Sequence, residues 1–382
     1  MSASRPLKLL ALSPMPEEGA GCRFRIVQYI PALTAAGFEV TLATLFTRDF
    51  FHLVYQPGRY VQKSIGFARL AVRHLASLTR ISRYDVVMLY REVLPIGPAF
   101  VERLLAYKAR PPIVFDFDDA IFLPNVSDAN RMIGALKLPG KVATIIRSSD
   151  RVIAGNDYLA SYARRFNDDV VIIPTSVDTN RFAPAGQRHL RSHRPIVGWI
   201  GSPTTAHYLN LLASPLTRLR AMHPFTLRIS GAGHDVALPG VDVENVAWSL
   251  NREVELFRSC DIGIYPLPDD EWAKGKCGFK AVQFMACGVP VVAAAVGVNR
   301  DIIRDGLNGF IASSDDEWVA KLERLLLDSD LRARFAHAGR RTVEERYSVS
   351  VNGPRLAATL RDVVERTCAI PHPQPVAHGG RR

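Results

Sequence analysis

Short apolar runs alternate with amphipathic stretches along most of this chain. Each run spans four to seven residues between turn-forming positions, the pattern of buried strands in a parallel sheet. In the first half we predict strands at Leu7–Leu12, Val40–Thr44, Val86–Tyr90, Ile113–Phe117, Arg151–Ala154 and Val170–Pro174. In the second half we predict strands at Ile196–Ile200, Phe225–Ser230, Ile262–Tyr265 and Val289–Ala295. Strands that alternate with helices imply parallel sheets with right-handed crossovers.

Amphipathic segments between the strands predict helices at Arg25–Ala36 and Gly97–Tyr107. The segment Asp315–Leu326 begins with acidic residues and continues with apolar residues three and four apart, which also predicts a helix. A polar, basic segment bounded by prolines, Pro184–Pro195, separates the two series of strands. We therefore predict an α/β fold with two doubly wound, Rossmann-like domains, residues 1–187 and 188–345, that face a central cleft.

Polar residues follow several of the predicted strands, where parallel sheets place their ligands. Asp116, Asp118 and Asp119 lie at the end of the fourth strand. Other such residues are Gly19, Gly21, Arg23, Arg25, Arg91, Glu92, Gly201 and Ser202. Because both domains present such loops, we expect a ligand in the cleft between them.

The segment Gly275–Ala294 reads as a tight glycine turn, a short helix over about Lys280–Ala286 and a buried strand. A turn of small residues that opens into a helix leaves free backbone N–H groups at the positive end of the helix dipole, which suits a phosphate. Lys274, Lys276 and Lys280 add positive charge at that end. The alternative is an ordinary loop with solvated lysines.

The composition is that of a globular protein, with 48% hydrophobic and 22% charged residues among 382. No apolar run is long enough to span a membrane, and Leu7–Leu12 is too short for a signal-peptide core. Five scattered cysteines without CxxC spacing predict neither a zinc site nor a disulfide framework and point to the cytoplasm. The Pro- and Gly-rich residues 369–382 predict a disordered tail.

The formal net charge is +11, and the basic residues are not evenly distributed along the chain. Between Phe50 and Tyr84 there is no acidic residue, and apolar residues run beside the basic ones at helical spacing. This pattern fits a basic amphipathic helix on an anionic membrane surface, or a domain helix with a solvated basic face. No nucleic-acid-binding motif is present, so we expect no nucleic acid partner. The basic residues are Arg59, Lys63, Arg69, Arg73, Arg80 and Arg83.

The chain resembles the retaining GT-B glycosyltransferases of family 4, the group 1 glycosyl transferases. The resemblance rests on Ile173–Pro184, Arg258–Asp270, Met285–Ala312 and Leu331–Tyr347, of which Met285–Ala312 is the most specific. It implies transfer of a sugar from a nucleotide-diphosphate sugar to a glycan, lipid-linked or small-molecule acceptor with retention, without a metal ion or cofactor. It also implies that a helix at about 346–368 packs back on the first domain.

The resemblance assigns roles to residues of this chain. Asp118 and Asp119 take the catalytic positions. The donor site comprises Gly201, Ser202, Lys276, Cys277, Gly278, Phe279, Lys280, Gln283, Gly297 and Asn299. From their positions after strands and at a helix start, we also expect Gly19, Gly21, Arg23, Arg25, Arg91 and Glu92 to form a site for the acceptor or a phosphate, the alternative for Arg23 and Arg25 being a solvated first helical turn. The implied setting is cell-envelope polysaccharide synthesis at the cytoplasmic face of the membrane.

The chain departs from the family pattern at the donor loop. The family has two glutamates eight positions apart, and this chain has Gly275 and Gln283 there. The family's Arg and Lys after the first strand of the second domain are replaced by Gly201-Ser202-Pro203. Asp269, Asp270 or Glu271 could replace the missing carboxylate, and the lysines could supply the missing charge.

Three alternatives remain at this level. Asp116 and Asp118 are two apart on a strand and could bind one cation. A non-catalytic scaffold that binds a nucleotide sugar would also tolerate the loss of the glutamates. A Rossmann dehydrogenase is disfavoured, because Gly19-Ala20-Gly21 lacks the third glycine of the dinucleotide motif.

Overall fold

A computed structural model describes residues 5–56, 58–107, 111–124, 138–185 and 194–369. The described residues form two parallel sheets of six strands each, with helices on both faces. The first sheet has the order β2-β1-β3-β4-β5-β6. Its strands are β1 (Leu7–Ser13), β2 (Phe38–Thr44), β3 (Val86–Tyr90), β4 (Ile113–Phe117), β5 (Arg151–Ala154) and β6 (Val170–Ile172).

The second sheet has the order β12-β11-β10-β7-β8-β9. Its strands are β7 (Ile196–Ile200), β8 (Thr226–Ser230), β9 (Val243–Val246), β10 (Ile262–Tyr265), β11 (Val291–Ala294) and β12 (Phe310–Ala312). In each sheet the chain reverses its direction of winding once, between β1 and β3 and between β7 and β10. Ligands of doubly wound sheets bind at such points, so the loops after these four strands outline the cleft.

The α-helices of the first domain are Ala20–Arg25, Ile30–Ala35, Arg48–Tyr55, Tyr60–Leu78, Phe100–Tyr107, Lys141–Ser148 and Asp157–Ala163. Those of the second are Ala213–Met222, Glu253–Arg258, Glu271–Lys274, Phe279–Ala286, Asn299–Ile302, Asp315–Leu327 and Ser329–Arg346, and the helix Val349–Ala369 follows. Short 3₁₀ helices span Val27–Tyr29, Ile81–Arg83, Ala206–Leu212 and Leu250–Arg252.

The predicted α/β fold with two doubly wound sheets is confirmed, and the ten predicted strands are present with ends shifted by at most two residues. Two short strands, β9 and β12, were not predicted as strands. The helical segment predicted over Arg25–Ala36 is present but not continuous. The backbone of Ile26 leaves the helical region (φ −126°), so the helix Ala20–Arg25 ends before it, and a 3₁₀ turn at Val27–Tyr29 leads into the helix Ile30–Ala35.

The long helix Val349–Ala369 covers one face of the first sheet. Its residues Leu356, Leu360 and Val363 are buried in one cluster with Leu9 and Met88 of that sheet. The chain thus returns to the first domain after building the second. We retain the boundaries 1–187 and 188–345 as a proposal. The predicted linker falls largely on residues 186–193, and the predicted tail on residues 370–382, outside the described residues.

The chain crosses between the domains twice, and the two crossings are hydrogen-bonded to each other. The backbone N–H of Val177 donates to the carbonyl of Tyr347 (2.8 Å), and the N–H of Val349 donates to the carbonyl of Val177 (3.0 Å). Asn352 Nδ2 also donates to Ser176 Oγ (2.9 Å). The two segments of chain that connect the domains therefore lie side by side and hold each other in place.

Candidate active site

The helix Phe279–Ala286 begins at the cleft and is preceded by Gly278 in the left-handed region (φ +63°). A side chain at this φ is strained, and a Cβ would also collide with Ile302. Glycine therefore lets the chain turn sharply into the helix. No side chain caps the helix, and the first backbone N–H groups of a helix have no partner within it, so the phosphate site expected here stays a prediction.

Lys280 lies in the first turn of this helix. Its Nζ donates to Gln283 Oε1 (2.9 Å) and lies 5.2 Å from the centre of the Phe257 ring. Burial lowers the pKa of Lys280 to about 8, because Glu253 only partly offsets desolvation and Arg23 adds to it. Lys280 is thus a poorly solvated cation that gains from an anion brought next to it.

Two buried polar atoms beside this turn have no hydrogen-bond partner among the described residues: Gln283 Nε2 and Asn299 Oδ1. Both side chains have no exposed surface. Asn299 Nδ2 donates to the carbonyl of Ala294 (3.0 Å), which fixes the amide. Gly278 lies directly against its Oδ1. Unpartnered buried polar atoms are rare in native proteins, and these two lie where donor-binding residues were predicted.

On the first domain, Asp118 and Asp119 follow β4 and share one guanidinium. Arg91 Nη2 donates to Asp118 Oδ1 (2.9 Å) and to Asp119 Oδ2 (2.5 Å), and Tyr90 Oη donates to Asp118 Oδ1 (2.8 Å). Burial alone would raise the pKa of Asp118. The charges of Arg91 and Arg25 and the hydrogen bonds from Arg91 and Tyr90 outweigh burial, so its pKa lies below the usual value. Asp118 is therefore an anion near neutral pH.

Arg91 has a positive φ of 57°, an uncommon conformation for a residue with a side chain. Its side chain is 22% exposed, so the residue that pairs with both carboxylates also faces the cleft. Strained residues gather at functional sites, and this one holds Asp118 and Asp119 in a fixed orientation. Glu92, its neighbour, lies 4.0 Å from Lys141 Nζ, and the carboxylate pair is instead bound by Arg91.

Arg25 has a structural role, in contrast to the predicted contact with an acceptor or phosphate. Its guanidinium forms a two-armed ion pair with Asp116 and donates to the carbonyl of Ile173 (2.9 Å). Both side chains are almost completely buried. The same pair removes Asp116 from the alternative two-carboxylate cation site, because Asp116 is bound by Arg25 and Asp118 by Arg91. The described part of the chain contains no cluster of three metal-ligating side chains.

Arg23 bridges the domains. Its Nη2 donates to both carboxylate oxygens of Glu253 (3.1 and 3.3 Å), and both side chains are buried. Arg181, in the segment that joins the domains, lies 3.5 Å from the same carboxylate. The Nε of Arg23 is buried without a partner among the described residues. This cluster has two cationic groups, Arg23 and Arg181, around one carboxylate at the boundary between the domains.

Asn156 ties the donor loop to the first domain, and we did not predict it as a site residue. Its Nδ2 donates to the carbonyls of Gly275 (3.2 Å) and Lys276 (3.0 Å), while its Oδ1 accepts from Leu159 N (2.9 Å). Cys277 Sγ donates to the carbonyl of Asp118 (3.2 Å). The only sequence signal was the position of Asn156, directly after a strand.

The remaining predicted donor residues lie around this loop. Gly297 packs against the backbone of Lys274, and the ring of Phe279 contacts that of Phe24 of the first domain at a tilt of 59°, with ring centres 4.4 Å apart. Lys276 Nζ lies 3.9 Å from Asp119 Oδ1, so it reaches across the cleft. Asp270, one of the proposed substitutes for the missing glutamate, instead caps a helix by accepting from Ala273 N (2.7 Å).

The loops after β7 and β1 are close-packed turns. Ser202 Oγ lies 2.9 Å from Thr204 Oγ1 and 3.2 Å from Thr205 Oγ1, so three hydroxyl groups cluster where the family has cationic residues. Gly201 lies against the Trp199 ring. Gly19 precedes the helix Ala20–Arg25, and the hydroxyl of Tyr90 lies over Gly21. Gly21 thereby lets Tyr90 reach Asp118.

Sequence comparison places the chain in a family. Residues 21–181 match the profile described as Glycosyltransferase Family 4, and residues 194–328 match the one described as Glycosyl transferases group 1. The chain therefore belongs to the group 1 glycosyl transferases of family 4. It is 28% identical over 265 residues to a D-inositol 3-phosphate glycosyltransferase of Stackebrandtia nassauensis. That match covers 61% of this chain and 58% of the relative.

A second D-inositol 3-phosphate glycosyltransferase, of Nocardiopsis dassonvillei, is 26% identical over 61% of this chain and 59% of its own length. The matched region thus spans somewhat less than two thirds of these relatives. Among solved structures, sucrose-phosphate synthase of Thermosynechococcus elongatus has a TM-score of 0.70 at 15% identity, covering 94% of this chain and all of that one. HepE of Anabaena, in complex with UDP and glucose, has a TM-score of 0.66 at 16% identity, over 93% of this chain and 100% of HepE. The fold is GT-B.

Proposed function

We propose that this protein is a retaining glycosyltransferase that moves a hexosyl group from a nucleotide-diphosphate sugar to a hydroxyl of its acceptor. One observation carries the proposal. On the second domain, Lys276 lies just before the helix Phe279–Ala286, which carries Lys280, and Lys276 Nζ lies 3.9 Å from Asp119 Oδ1 of the first domain. A cationic and an anionic half of one reaction centre thus meet across the cleft.

The cationic half suits the leaving diphosphate. As the bond from the anomeric carbon to the diphosphate oxygen breaks, negative charge grows on that oxygen. Lys276, Lys280 and the N–H groups of Phe279–Ala286 are fixed donors that stabilise this charge without reorganisation. These groups supply the role that a metal ion has in other transferases, and we propose that the reaction needs neither metal nor cofactor.

The anionic half suits the sugar and the acceptor. Asp118 is held ionised and oriented by Arg91 and Tyr90. In this position a carboxylate stabilises positive charge on the sugar ring or orients the acceptor hydroxyl for attack on the anomeric carbon. Retention is proposed from the family resemblance, and analysis of the anomeric configuration of the product by NMR tests it.

The acceptor is proposed as a glycan, a lipid-linked sugar or a small polyol. The names of the relatives support a hydroxyl-rich acceptor, and UDP and glucose bound to HepE support a nucleotide-sugar donor. We place the enzyme in the cytoplasm, at the inner face of the membrane in cell-envelope synthesis. No helix in the described ranges has the length and apolarity to cross a bilayer.

A second candidate is a nucleotide-sugar-binding scaffold without turnover. The observation that favours it is the loss of both family glutamates, at Gly275 and Gln283. The two candidates share ligand binding and differ in cleavage of the donor.

The test has two stages. A thermal-shift panel of nucleoside diphosphates, with and without a chelator, identifies the base. A ligand at about 100 times its Kd adds about 2.7 kcal/mol and moves the Tm of a large domain by a few degrees. Release of nucleoside diphosphate from the matching sugar donor then distinguishes enzyme from scaffold. A thermal shift with no release of nucleoside diphosphate over hours, with acceptor mixtures present, would favour the scaffold over the enzyme. No shift with any diphosphate would contradict both candidates.

A further inference from the structure

Exposed apolar side chains are concentrated on one layer of the first domain. Seven of the twelve large apolar side chains that are exposed within the described ranges lie between residues 60 and 138, and the other five are scattered over the second domain. The seven are Tyr60, Val61, Ile65, Val72, Phe100, Leu104 and Leu138.

Two helices carry six of these side chains and cover the same face of the first sheet. Leu78 is the last residue of the helix Tyr60–Leu78, and Val101 and Leu105 belong to the helix Phe100–Tyr107. All three are buried in one core cluster on this face of the sheet. The opposite face is covered by Val349–Ala369. The middle of the longer helix packs against Phe50 of the helix Arg48–Tyr55 through Phe67 and Leu70, and its exposed side is turned away from these contacts. We name the exposed sides of the two helices the outer layer.

The exposed apolar residues of the longer helix form a stripe. Successive residues of an α-helix are rotated by about 100°, so Val61 and Ile65 are about 40° apart and Ile65 and Val72 about 20° apart. They are 74%, 50% and 68% exposed. On the shorter helix Phe100 and Leu104 are four apart and are also exposed. A stripe turned away from the core is not explained by packing of the domain itself.

The charge of the outer layer is positive. Arg69 and Arg73 lie beside the stripe and are exposed, as are Arg59, Arg80 and Arg83 near the ends of the helix. Lys63 is an exception, because its Nζ donates inward to the carbonyl of Gln56 (2.5 Å).

The acidic residues of the same region are internally bound. Asp85 pairs with Arg5 (2.6 Å), Glu92 lies near Lys141, and Glu102 is buried and accepts from Val93 N (3.0 Å). These are the only acidic residues between positions 50 and 107. Among the described residues, the outer layer therefore presents apolar side chains and exposed arginines with no exposed acid between them.

We propose that the outer layer docks on an anionic lipid bilayer, with Val61, Ile65, Val72, Phe100 and Leu104 entering the interface and the arginines contacting the headgroups. Apolar side chains flanked by basic ones are the combination that binds such a surface. A second copy of this chain would place arginine against arginine, so charge disfavours self-association. The proposal does not depend on the donor site.

The test is co-sedimentation with vesicles of phosphatidylcholine alone and of equimolar phosphatidylcholine and phosphatidylglycerol. We expect binding only to the anionic vesicles and release at high salt. One variant removes the stripe and one removes charge. A matched control removes exposed apolar residues and arginines of the second domain. The variants are Val61→Ser/Ile65→Ser/Val72→Ser, Arg69→Gln/Arg73→Gln/Arg80→Gln and, as control, Leu327→Ser/Met222→Ser/Arg334→Gln/Arg341→Gln.

Both test variants should bind anionic vesicles about tenfold more weakly or worse, and the control should bind like the wild type. Absence of wild-type binding, equal binding to neutral vesicles, or wild-type binding by both test variants would overturn the proposal. So would a change from dimer to monomer in the stripe variant with vesicle binding unchanged, because the stripe would then be a self-association surface. The diphosphate thermal shift of each variant reports on the transferase site separately.

Discussion

Gly275 and Ala120 touch across the domain boundary: a Cβ atom added to Gly275 would lie 2.5 Å from the Cβ of Ala120 and 3.0 Å from its backbone nitrogen. Related enzymes have a glutamate at this position by the resemblance described above. Here the first domain fills the space that a side chain would need. The missing carboxylate is therefore part of how the two domains of this chain fit together.

Restoring the family residue should consequently harm the protein. We expect Gly275→Glu to force the domains apart and to reduce donor cleavage, and Gly275→Ala to destabilise by about 1–3 kcal/mol through overpacking. Donor cleavage and Tm measure this. Gly140→Ala is the control, since a Cβ there meets nothing within 4 Å. A gain of activity in Gly275→Glu would show that the contact with Ala120 gives way easily.

Binding of nucleoside diphosphate should depend on the charge of Lys280. With its pKa at about 8, the free protein loses this cation as pH rises past that value. The Kd should rise by up to about tenfold per pH unit above pH 8. Lys280→Arg should flatten the profile and keep the affinity, whereas Lys280→Met should flatten it at weak affinity. Titration calorimetry from pH 7 to 9.5 measures these Kd values. A wild-type Kd that does not change with pH over this range would place Lys280 away from the phosphates.

The same shift has a stability consequence with a defined sign. The folded state holds Lys280 with a pKa of about 8, against 10.5 for the ordinary side chain. Between these values the unfolded chain binds more protons, so this residue's contribution to the free energy of unfolding increases with pH. Lys280→Met removes the buried charge, so we expect it to raise the free energy of unfolding relative to wild type at pH 7.5. At pH 10 Lys280 is largely neutral in the folded state, and the difference in free energy of unfolding between mutant and wild type should be smaller. Denaturant unfolding at the two pH values measures this.

Asp118→Asn should lower turnover by about 10²–10⁴-fold while nucleoside diphosphate binding persists. The carboxylate that Arg91 and Tyr90 hold becomes a neutral amide of the same shape. Asp169→Asn is the matched control, because Asp169 pairs with Arg151 (2.8 Å) elsewhere on the sheet. Steady-state kinetics and diphosphate affinity are the measurements. Turnover within threefold of wild type would make Asp118 structural.

Asn156→Asp should loosen the contact between the domains with little effect on the first domain. Aspartate still accepts from Leu159 N, but it cannot donate to the carbonyls of Gly275 and Lys276 and repels them instead. We expect a larger radius of gyration by solution scattering and a raised KM for the donor. Asn245→Asp, which alters an exposed asparagine bound to the backbone of Val236, controls for charge. An unchanged radius and KM would refute this role.

Sequence patterns predicted the parts of the fold in which local and global preferences agree. The run Ile113–Phe117 follows Pro112 and is buried throughout, and the strand has those same bounds. The strand Val243–Val246 escaped prediction because its central residues, Glu244 and Asn245, are polar and lie at the edge of the sheet. An edge strand needs few apolar residues, so periodicity does not reveal it.

The candidate site divides in the same way. The carboxyl-end rule drew attention to Asp118, and the glycine turn that opens into a helix drew attention to the loop that holds Lys280. The sequence could not reveal that Arg25 pairs with Asp116, because the two residues lie 91 positions apart and are brought together and buried only when the chain folds. The reach of Asn156 across the cleft depends on how two separate domains dock, which no local pattern encodes.

The chain passes between the domains at Val177 and again at Tyr347, which limits how domains can be exchanged between related enzymes. A chimera cut only at the first crossing would leave the helix Val349–Ala369 with the wrong partner and would uncover Leu9 and Met88. Recombination has to transfer the closing helix together with the opening domain. Although the fold has two domains, the first is built from two separate segments of the chain, so the two domains cannot be exchanged by a single crossover.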